Sequence, residues 1–323
     1  MAFPSTITDI VATTIQSRSR AIADNVTKNN ALLMKVNERG NRKPFSGGNV
    51  ILQELSFAQN GNGGWYSGYD LLPVAAQDVI SAAEFQIKQL ACPVTISGLE
   101  TLQNAGREQM IDLLEARIAV GEATMANLLA AGLYSDGTGS GGKELTGLNA
   151  AVPVNPVTGT YGGIDRSTTV GTFWRSAVQT GTTLTAANIN TQLNLLYATL
   201  VRGKNVPDLV VMGNDTWNLY MAALQAQQRF TDPNTAKLGF PSVRFMTADV
   251  VLDGGIGNLV PTKTIFMLQT EYLFLRPHSA RDMVAISPDK RAAINQDAEV
   301  SILGWAGNLT CSGAQFQGRL IGS

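Results

Sequence analysis

The hydrophobic pattern of the chain changes several times between a helical period and a strand period. Isoleucine and valine recur at helical spacing over residues 5–24, which predicts an amphipathic helix near the amino terminus. Residues 50–57 are then predicted to form a strand, and the alternation at 84–88 has the period of two that is typical of a second, half-buried strand. Residues 45–92 are therefore predicted to form a long β-hairpin.

The strongest helical signal lies at residues 107–133, which we call the spine helix. Apolar or small residues at steps of three and four mark one face of it: Ile111, Leu114, Ile118, Gly121, Met125 and Leu128. A helix of this length extends about 40 Å at about 1.5 Å per residue, enough to cross a whole domain. A shorter helix is predicted at 97–105, and glycines from Gly137 onward end the spine helix.

After the spine helix, helical and strand signals alternate. Amphipathic helices are predicted at 184–202, with Thr185 as the N-cap, and at 214–230. Strands are predicted at 208–212, 243–252, 263–275, 280–286, 299–303 and 308–320. The strand at 263–275 is long enough to leave one domain and enter another. The fold class is therefore α+β, with a subdomain inserted between the spine helix and the last strands.

Charge is scarce and unevenly distributed. Charged residues make up 15% of the 323 residues and apolar residues 44%, whereas an average soluble chain has about 25% charged residues. This favours extensive burial between subunits. Residues 1–44 carry seven basic and three acidic side chains, a net charge of +4, and the remainder carries −5, which gives −1 in total. A strongly basic reader of nucleic acid is excluded.

The tip of the predicted hairpin combines glycine with exposed aromatic residues. Residues 61–73 contain several glycines together with Trp65, Tyr66 and Tyr69. Aromatic side chains on such a flexible segment are exposed unless a surface covers them. The tip either lies on another molecule or folds back onto its own domain, and the acidic hairpin favours the first alternative.

The basic amino-terminal segment complements the acidic hairpin. It is either a solvated face or a contact with acidic surfaces of neighbouring copies or with nucleic acid. We expect Arg39, Arg42 and Lys43 to lie near the hairpin of a neighbouring copy. Glu54 and Glu84 are the expected partners on that hairpin.

No constellation of residues indicates catalysis or metal binding. Two cysteines, Cys92 and Cys311, exclude a cysteine-rich zinc site and a disulfide scaffold. The single histidine, His278, leaves too few ligands for a histidine-rich metal centre and argues against a histidine-dependent triad. Residues 137–143 match the spacing of a phosphate-binding loop, but a helix precedes them and Glu144 occupies the magnesium-binding position. We predict no catalytic, cofactor-binding or metal-binding residues. The two thiols are expected to be buried, and three tryptophans are expected in the core: Trp174, Trp217 and Trp305.

The amino terminus lacks the basic and apolar regions of a secretory signal. No run of about 18 apolar residues occurs in the chain. We therefore expect a soluble, cytosolic chain without a membrane partner.

Three separate segments carry a resemblance to a known family. They are SGLETLQNAGREQMIDLLEARI at 97–118, LYSDGTG at 133–139 and GGIDRSTTVGTFWR at 162–175. In this order, together with the order of the predicted elements, they resemble one branch of the major capsid proteins of tailed bacteriophages, which have the Hong Kong-type capsid fold. The resemblance covers nearly the whole chain and is weakest over the first forty residues.

The resemblance implies a domain organisation and a structural function. Residues 1–44 would be an amino-terminal arm and 45–92 an extended loop that reaches over a neighbouring subunit. Residues 93–150 and 276–323 would form the peripheral domain, and 151–275 an axial domain near the five-fold and quasi-six-fold axes. Many copies would self-assemble as pentamers and hexamers into an icosahedral shell that encloses double-stranded DNA.

The resemblance also implies partners and a location. A separate scaffolding protein is expected because the chain begins almost directly with the arm, and a portal protein and a decoration protein are further expected partners. Contact with packaged DNA would be non-specific, and the protein would reside in the virion after assembly in the cytoplasm of the host bacterium. Some relatives cross-link through a loop lysine, but this hairpin carries only Lys88, near its base. An encapsulin-like compartment shell and an α/β enzyme remain alternatives.

Overall fold

The computed structural model describes residues 31–97, 99, 107–225, 242–253, 259–286, 291–292 and 298–323. The predicted helix at 5–24 and most of the predicted helix at 97–105 lie outside these residues. Within the described ranges, and apart from a distorted helical turn at Gly139–Gly142, the helices are α1 (Ala31–Glu38), α2 (Arg107–Leu133), α3 (Leu148–Ala151), α4 (Ile189–Leu200) and α5 (Asn214–Gln225).

The described strands form two large sheets, the β1–β2 hairpin and one small hairpin. They are β1 (Val50–Ser56), β2 (Ile80–Gln86), β3 (Lys88–Ser97), β4 (Thr160–Tyr161), β5 (Ile164–Asp165), β6 (Ala177–Thr182), β7 (Leu209–Met212), β8 (Ser242–Phe245), β9 (Ala248–Leu252), β10 (Thr264–Leu268), β11 (Leu273–Pro277), β12 (Val284–Ala285), β13 (Arg291–Ala292), β14 (Ala298–Cys311) and β15 (Gly318–Gly322). Single 3₁₀ turns occur at Val170–Trp174, Thr270–Tyr272 and Ala314–Phe316.

The spine helix α2 begins and ends where the sequence predicts. Its buried face continues from Ile118 through Gly121 and Met125 in the predicted steps of three and four. After Met125 the step is four, so Leu129 is buried and Leu128, predicted to be buried, is 49% exposed. At Gly121 the helix comes close to β3, because a Cβ there would lie 3.0 Å from the side chain of Val94. The side chains of Ile111 and Leu114 lie outside the described part of the structure.

The predicted hairpin is present but shorter than expected. β1 pairs with β2 in antiparallel register from Val50 opposite Gln86 to Ser56 opposite Ile80. Residues 57–79 connect the two strands without helix or strand, and we call them the tip loop. Residues 88–92 were expected in the hairpin but belong to β3, which pairs with β14 instead.

β14 is the centre of a five-stranded sheet. One of its edges pairs with β3 from Ala298 opposite Ser97 to Gly307 opposite Lys88, and its other edge pairs with β11, β12 and β13. The two strands predicted at 299–303 and 308–320 are therefore wrong as separate elements, since one strand continues through both to Cys311. Of the strand predicted at 280–286, only Val284–Ala285 is observed among the described residues.

The second large sheet has six strands in the order β6-β15-β10-β7-β9-β8. Both of its faces are buried, because alternate residues of β7 and β10 enter two different apolar clusters. Val210 packs with α4 and α5, whereas Val211 and Phe266 pack on the side of the spine helix. This explains why every residue of β7 and β10 is buried and why both strands are almost entirely apolar rather than alternating.

The chain passes between the two sheets at two neighbouring points. The strand predicted at 263–275 does leave one sheet for the other, but the 3₁₀ turn at Thr270–Tyr272 divides it into β10 and β11. Residues 276–323 were expected to belong to the peripheral domain, and within this range β15 pairs with β10 and β6 of the six-stranded sheet, not with β14. The physical reason is a reciprocal pair: Gln269 N–H donates to Gln317 Oε1, and Gln317 Nε2 donates to the Gln269 carbonyl, both at 3.1 Å.

Two smaller boundaries differ from the predictions. α4 begins at Ile189 rather than at 184, because Asn188 Oδ1 accepts the Thr185 N–H and holds the preceding residues in a turn. The strand predicted at 243–252 is a tight hairpin whose turn contains Met246 at φ 52°. α5 begins at Asn214 as predicted, and the predicted end at 230 lies outside the described residues.

The segment 162–175, which carries part of the family resemblance, is a closed loop around a buried arginine. Arg166 is buried and donates to three backbone carbonyls, those of Trp174, Ala150 and Ala151, at 3.2, 3.1 and 2.7 Å. Trp174 Nε1 donates to the Tyr161 carbonyl at 2.9 Å. The predicted core positions of three tryptophans are confirmed: Trp174, Trp217 and Trp305.

Candidate assembly interface

The tip loop exposes a group of large apolar side chains that we call the tip patch. Its members are Trp65, Tyr66, Tyr69, Leu71, Leu72 and Val74. Trp65 and Tyr69 are 106% and 105% exposed, as much as in an isolated extended peptide. The tip therefore does not fold back onto its own domain, which was one of the two alternatives. A patch of this kind is typical of an interaction surface.

Local hydrogen bonds shape the tip loop around the patch. Ser67 N–H donates to Asp70 Oδ2 at 2.9 Å, and Asp70 N–H donates to the Ser67 carbonyl at 3.1 Å. Gly68 between them has φ 52°, which a residue with a side chain rarely adopts. This turn places Tyr69 at its outer end.

The hairpin strands separate an inner face from an outer face. Ile51 and Phe85, which are opposite each other in the register, are buried. Leu52 and Glu84 form the next opposed pair and are exposed, as is Glu54. The predicted alternation is confirmed, and the outer face offers both apolar and acidic groups.

The base of the hairpin is fixed to the closed loop around Arg166. Glu84 N–H donates to the Gly162 carbonyl at 2.9 Å. The ring of Phe85 meets that of Tyr161 edge-on at 5.2 Å. The tip patch is thus carried on a hairpin whose base belongs to the core.

The arm residues that were expected at a neighbouring copy have partners in their own chain. Arg39 lies 3.0 Å from Asp208, and Arg42 forms an ion pair with Asp282. The ammonium group of Lys43 lies 4.8 Å from the centre of the Phe274 ring. Contact of these side chains with a neighbour's Glu54 or Glu84 stays a prediction.

The arm also adds backbone hydrogen bonds to the edge of β11. Lys43 N–H donates to the Leu275 carbonyl and Phe45 N–H to the Pro277 carbonyl, both at 3.0 Å. Lys35 lies 2.9 Å from Asp249. Burial lowers the pKa of Lys35, but the hydrogen bonds and charges of Asp249 and Glu38 together outweigh burial and leave the pKa raised. Residues 35–45 are therefore part of the folded body of the subunit.

Solved structures of phage capsids are similar to this chain over most of its length. The cyanophage A-1(L) capsid asymmetric unit is 17% identical with a TM-score of 0.62, and the match covers 87% of this chain and 90% of that chain. The capsid of the native GTA particle is 15% identical with a TM-score of 0.58, covering 89% and 90%. The capsid of Myoviridae phage XM1 is 13% identical with a TM-score of 0.52, covering 88% and 91%. Searches against protein-family models and curated protein sequences gave no match.

The chain has the Hong Kong-type capsid fold. The α+β class and the capsid fold predicted from sequence are both confirmed. The likeness rests on shape, since fewer than one residue in five is identical in these structures.

The glycine-rich segment at 137–144 is filled by a carboxylate of the chain itself. Glu144 accepts hydrogen bonds from the hydroxyl groups of Ser135 and Ser140, at 2.7 and 3.3 Å. A helix precedes the segment, as the sequence predicted. A carboxylate at this position repels an anionic phosphate group.

The histidine and the cysteines have structural surroundings. His278 Nδ1 accepts the Ala280 N–H at 3.1 Å, and its ring packs against that of Phe45. Burial raises the pKa of the Cys311 thiol to about 12, so the thiol stays protonated and unreactive. Cys92 is only half-buried, which corrects the expectation that both thiols are buried.

The described residues contain neither a candidate metal site nor a candidate membrane-spanning helix. In these ranges, no group of three or more His, Cys, Asp or Glu side chains could hold a metal ion. None of the helices in the same ranges is long and apolar enough to cross a membrane.

A buried polar cluster that was not predicted from the sequence links the spine helix to the six-stranded sheet. The hydroxyl group of Tyr134, just after the spine helix, donates to Asp253 at the end of β9. Arg319 donates to Asn149 Oδ1 at 3.0 Å and to the Val152 carbonyl at 3.2 Å, and burial lowers its pKa to about 10. Burial raises the pKa of Asp253, although the Tyr134 hydrogen bond opposes this effect. In the sequence, these residues differ from others only as single polar residues within apolar segments, a pattern too common to predict a cluster.

Proposed function

We propose that this chain is a major capsid protein of a tailed bacteriophage. Its copies self-assemble as pentamers and hexamers into an icosahedral shell that encloses double-stranded DNA, and its role is structural rather than catalytic. The observation that carries this proposal is the fully exposed tip patch on the extended hairpin of a capsid fold. Apolar side chains in such number need a partner surface.

A second copy of the chain is the partner that best fits the hairpin. Capsids are the similar structures, and the GTA capsid was computed with C5 symmetry. Only 15% of the residues are charged, which favours burial between like subunits. In this proposal Trp65, Tyr66 and Tyr69 anchor the hairpin on a neighbour, while Glu54 and Glu84 guide its approach.

The arm residues contribute less than the tip patch to the proposed interface. Lys43 is exposed beside Phe274 and is available to a neighbour's hairpin. Arg39 and Arg42 would have to exchange or share their carboxylate partners, Asp208 and Asp282. The arm therefore adds electrostatic selectivity rather than the main binding energy.

The proposed domains follow the sheets. The arm is 1–44, the extended loop is the β1–β2 hairpin with the tip loop, and the peripheral domain contains the spine helix and the five-stranded sheet. The axial domain contains the six-stranded sheet, including β15. A scaffolding protein, a portal protein and a decoration protein are proposed partners, DNA contact is non-specific, and the virion, assembled in the host cytoplasm, is the proposed location.

Electron microscopy of negatively stained, purified full-length protein tests the proposal. Expression alone and with a scaffolding protein should yield closed shells, and particles from infected cells should contain DNA. Shells of one small size that contain enzyme and no DNA would indicate an encapsulin-like compartment instead. A monomer that stays unassembled under both conditions and has a polar pocket would contradict the proposal and favour an α/β enzyme.

A further inference from the structure

Two consecutive Asn–Gly dipeptides lie at the start of the tip loop. They are Asn60–Gly61 and Asn62–Gly63, and the 323-residue sequence contains no other Asn–Gly. Asn60 and both glycines are exposed, whereas Asn62 is half-buried. The proposed shell contacts do not use these residues.

The local geometry differs between the two asparagines. Asn60 Oδ1 accepts the backbone N–H of Asn62 at 3.0 Å, so the Asn60 carboxamide is held beside its own downstream backbone. Asn62 Nδ2 instead donates to the Ala75 carbonyl at 2.5 Å, which ties the Asn62 carboxamide to the opposite side of the loop. A hydrogen bond at the carboxamide oxygen draws electron density from Cγ. Gly61 has no Cβ to shield the backbone nitrogen that follows Asn60.

We propose that Asn60 is a site of spontaneous deamidation. The backbone nitrogen of Gly61 loses its proton and attacks Cγ of Asn60, which forms a C–N bond in a five-membered succinimide. The bond from Cγ to the side-chain nitrogen breaks, and ammonia leaves with a proton. Water then opens the ring at either carbonyl and yields aspartate or isoaspartate, so the net change is addition of water and loss of ammonia, without oxidation or reduction.

The modification changes the charge and the backbone of the hairpin. Residues 45–92 carry four acidic side chains and Lys88, a net charge of −3, and one deamidation makes this −4. The isoaspartate product also lengthens the main chain a few residues before Trp65. Since the proposed contact with a neighbour uses this loop, subunits in which Asn60 deamidates before assembly should assemble less well. This consequence rests on the proposed function, whereas the reaction itself does not.

Peptide mass spectrometry on the full-length protein tests the site directly. Protein incubated at mildly alkaline pH should show the mass gain of an amide converted to a carboxyl first at Asn60 and later at Asn62, together with isoaspartate detected by enzymatic methylation. Gly61→Ala should slow the gain at Asn60 severalfold or more, because its Cβ shields the attacking nitrogen, and Gly63→Ala should leave the rate at Asn60 unchanged. Both variants fit, because an added Cβ would meet only Gln77 Oε1 at 3.3 Å or the Asn60 carbonyl at 3.4 Å, and neither glycine has a positive φ.

An unmodified Asn60 after incubation that deamidates other asparagines, or equal rates in the parent and Gly61→Ala, would overturn the site. These readouts need no shell, so their failure is distinct from failure of the capsid proposal. Asn60→Asp should form fewer shells than Asn60→Gln, and equal yields would overturn the effect on assembly.

Discussion

Trp65 and Trp174 show how exposure separates two roles of one residue type. The indole of Trp174 is buried and donates to the Tyr161 carbonyl, whereas that of Trp65 is fully exposed on the tip loop. The first therefore stabilises the subunit, and the second is available to another molecule. The glycines around Trp65 made this difference visible in the sequence.

Replacing Trp65 and Tyr66 together by alanine should leave the subunit folded but assembly-deficient. A buried aromatic anchor contributes about 2 kcal/mol or more to an interface, so the concentration needed for assembly should rise about tenfold or more. Circular dichroism checks the fold, and sedimentation of shells measures assembly. Val170→Ala, which truncates an apolar side chain exposed outside the hairpin, is the matched control. Shells of normal yield and thermal stability from the double variant would show that the tip patch anchors nothing.

Asp253 should give the subunit a pH-dependent stability of unusual sign. Burial raises the pKa of this carboxyl in the folded state, although the Tyr134 hydrogen bond opposes the shift. The folded state therefore binds the proton more tightly, and this group's contribution to stability falls as pH rises from the ordinary aspartate pKa through the raised one. Asp253→Asn keeps an acceptor for Tyr134 without the charge. The variant should be at least as stable as the parent at neutral pH.

Urea unfolding across a pH series, at concentrations too low for assembly, measures this effect. With rising pH, the free energy of unfolding of Asp253→Asn should increase relative to that of the parent, because the variant lacks the contribution that the parent loses. If the two curves have the same slope, the pH dependence belongs to other carboxyl groups.

At the scale of elements, the spine helix was predictable because its signals are local. Both ends and the buried positions Ile118 and Met125 follow from spacing and from the glycines that follow the helix. The prediction that Leu128 is buried was wrong, because the step after Met125 is four residues instead of three. The buried face therefore continues at Leu129. The spacing of apolar residues along the helix cannot predict this rotation, because it depends on how the helix packs against β3.

An aspartate at Ile118 tests the buried face of the spine helix. Ile118 is 0% exposed, so Ile118→Asp buries an unpaired charge and should cost about 3 kcal/mol or more, or force protonation of the new carboxyl. Val120, two residues later and 68% exposed, supplies the control Val120→Asp, which should remain soluble and folded. Soluble expression and circular dichroism distinguish the two variants. A native-like monomer from Ile118→Asp would mean that this face is not packed.

The strand order was less predictable because its causes lie far apart in sequence. β15 joins the six-stranded sheet through β10, and the Gln269–Gln317 pair that marks the crossing joins residues 48 positions apart. The ion pair of Arg39 with Asp208 is likewise invisible to local patterns. The net positive charge of the arm predicted an acidic partner. It could not show whether that partner lies in the same chain or in a neighbouring copy.

At the scale of the whole molecule, the described part of the arm is bonded to the body of the subunit, whereas the side chains of the hairpin tip are exposed. Residues 35–45 are joined to the body by ion pairs and backbone hydrogen bonds, while the tip patch has no cover within the described ranges. The described residues of the same chain therefore do not bury the tip patch, and a second molecule is its proposed cover. In a closed shell every copy supplies such a surface to a neighbour, which is why the capsid proposal centres on the hairpin.

A three-dimensional reconstruction of assembled particles by electron cryomicroscopy tests this most directly. The expected result is a closed icosahedral shell of pentamers and hexamers in which Trp65, Tyr66 and Tyr69 of each copy are buried against a neighbouring copy. A closed shell in which these three side chains remain exposed to solvent would contradict the assigned role of the hairpin. Purified protein that forms no closed particle, with or without a scaffolding protein, would contradict the capsid function itself.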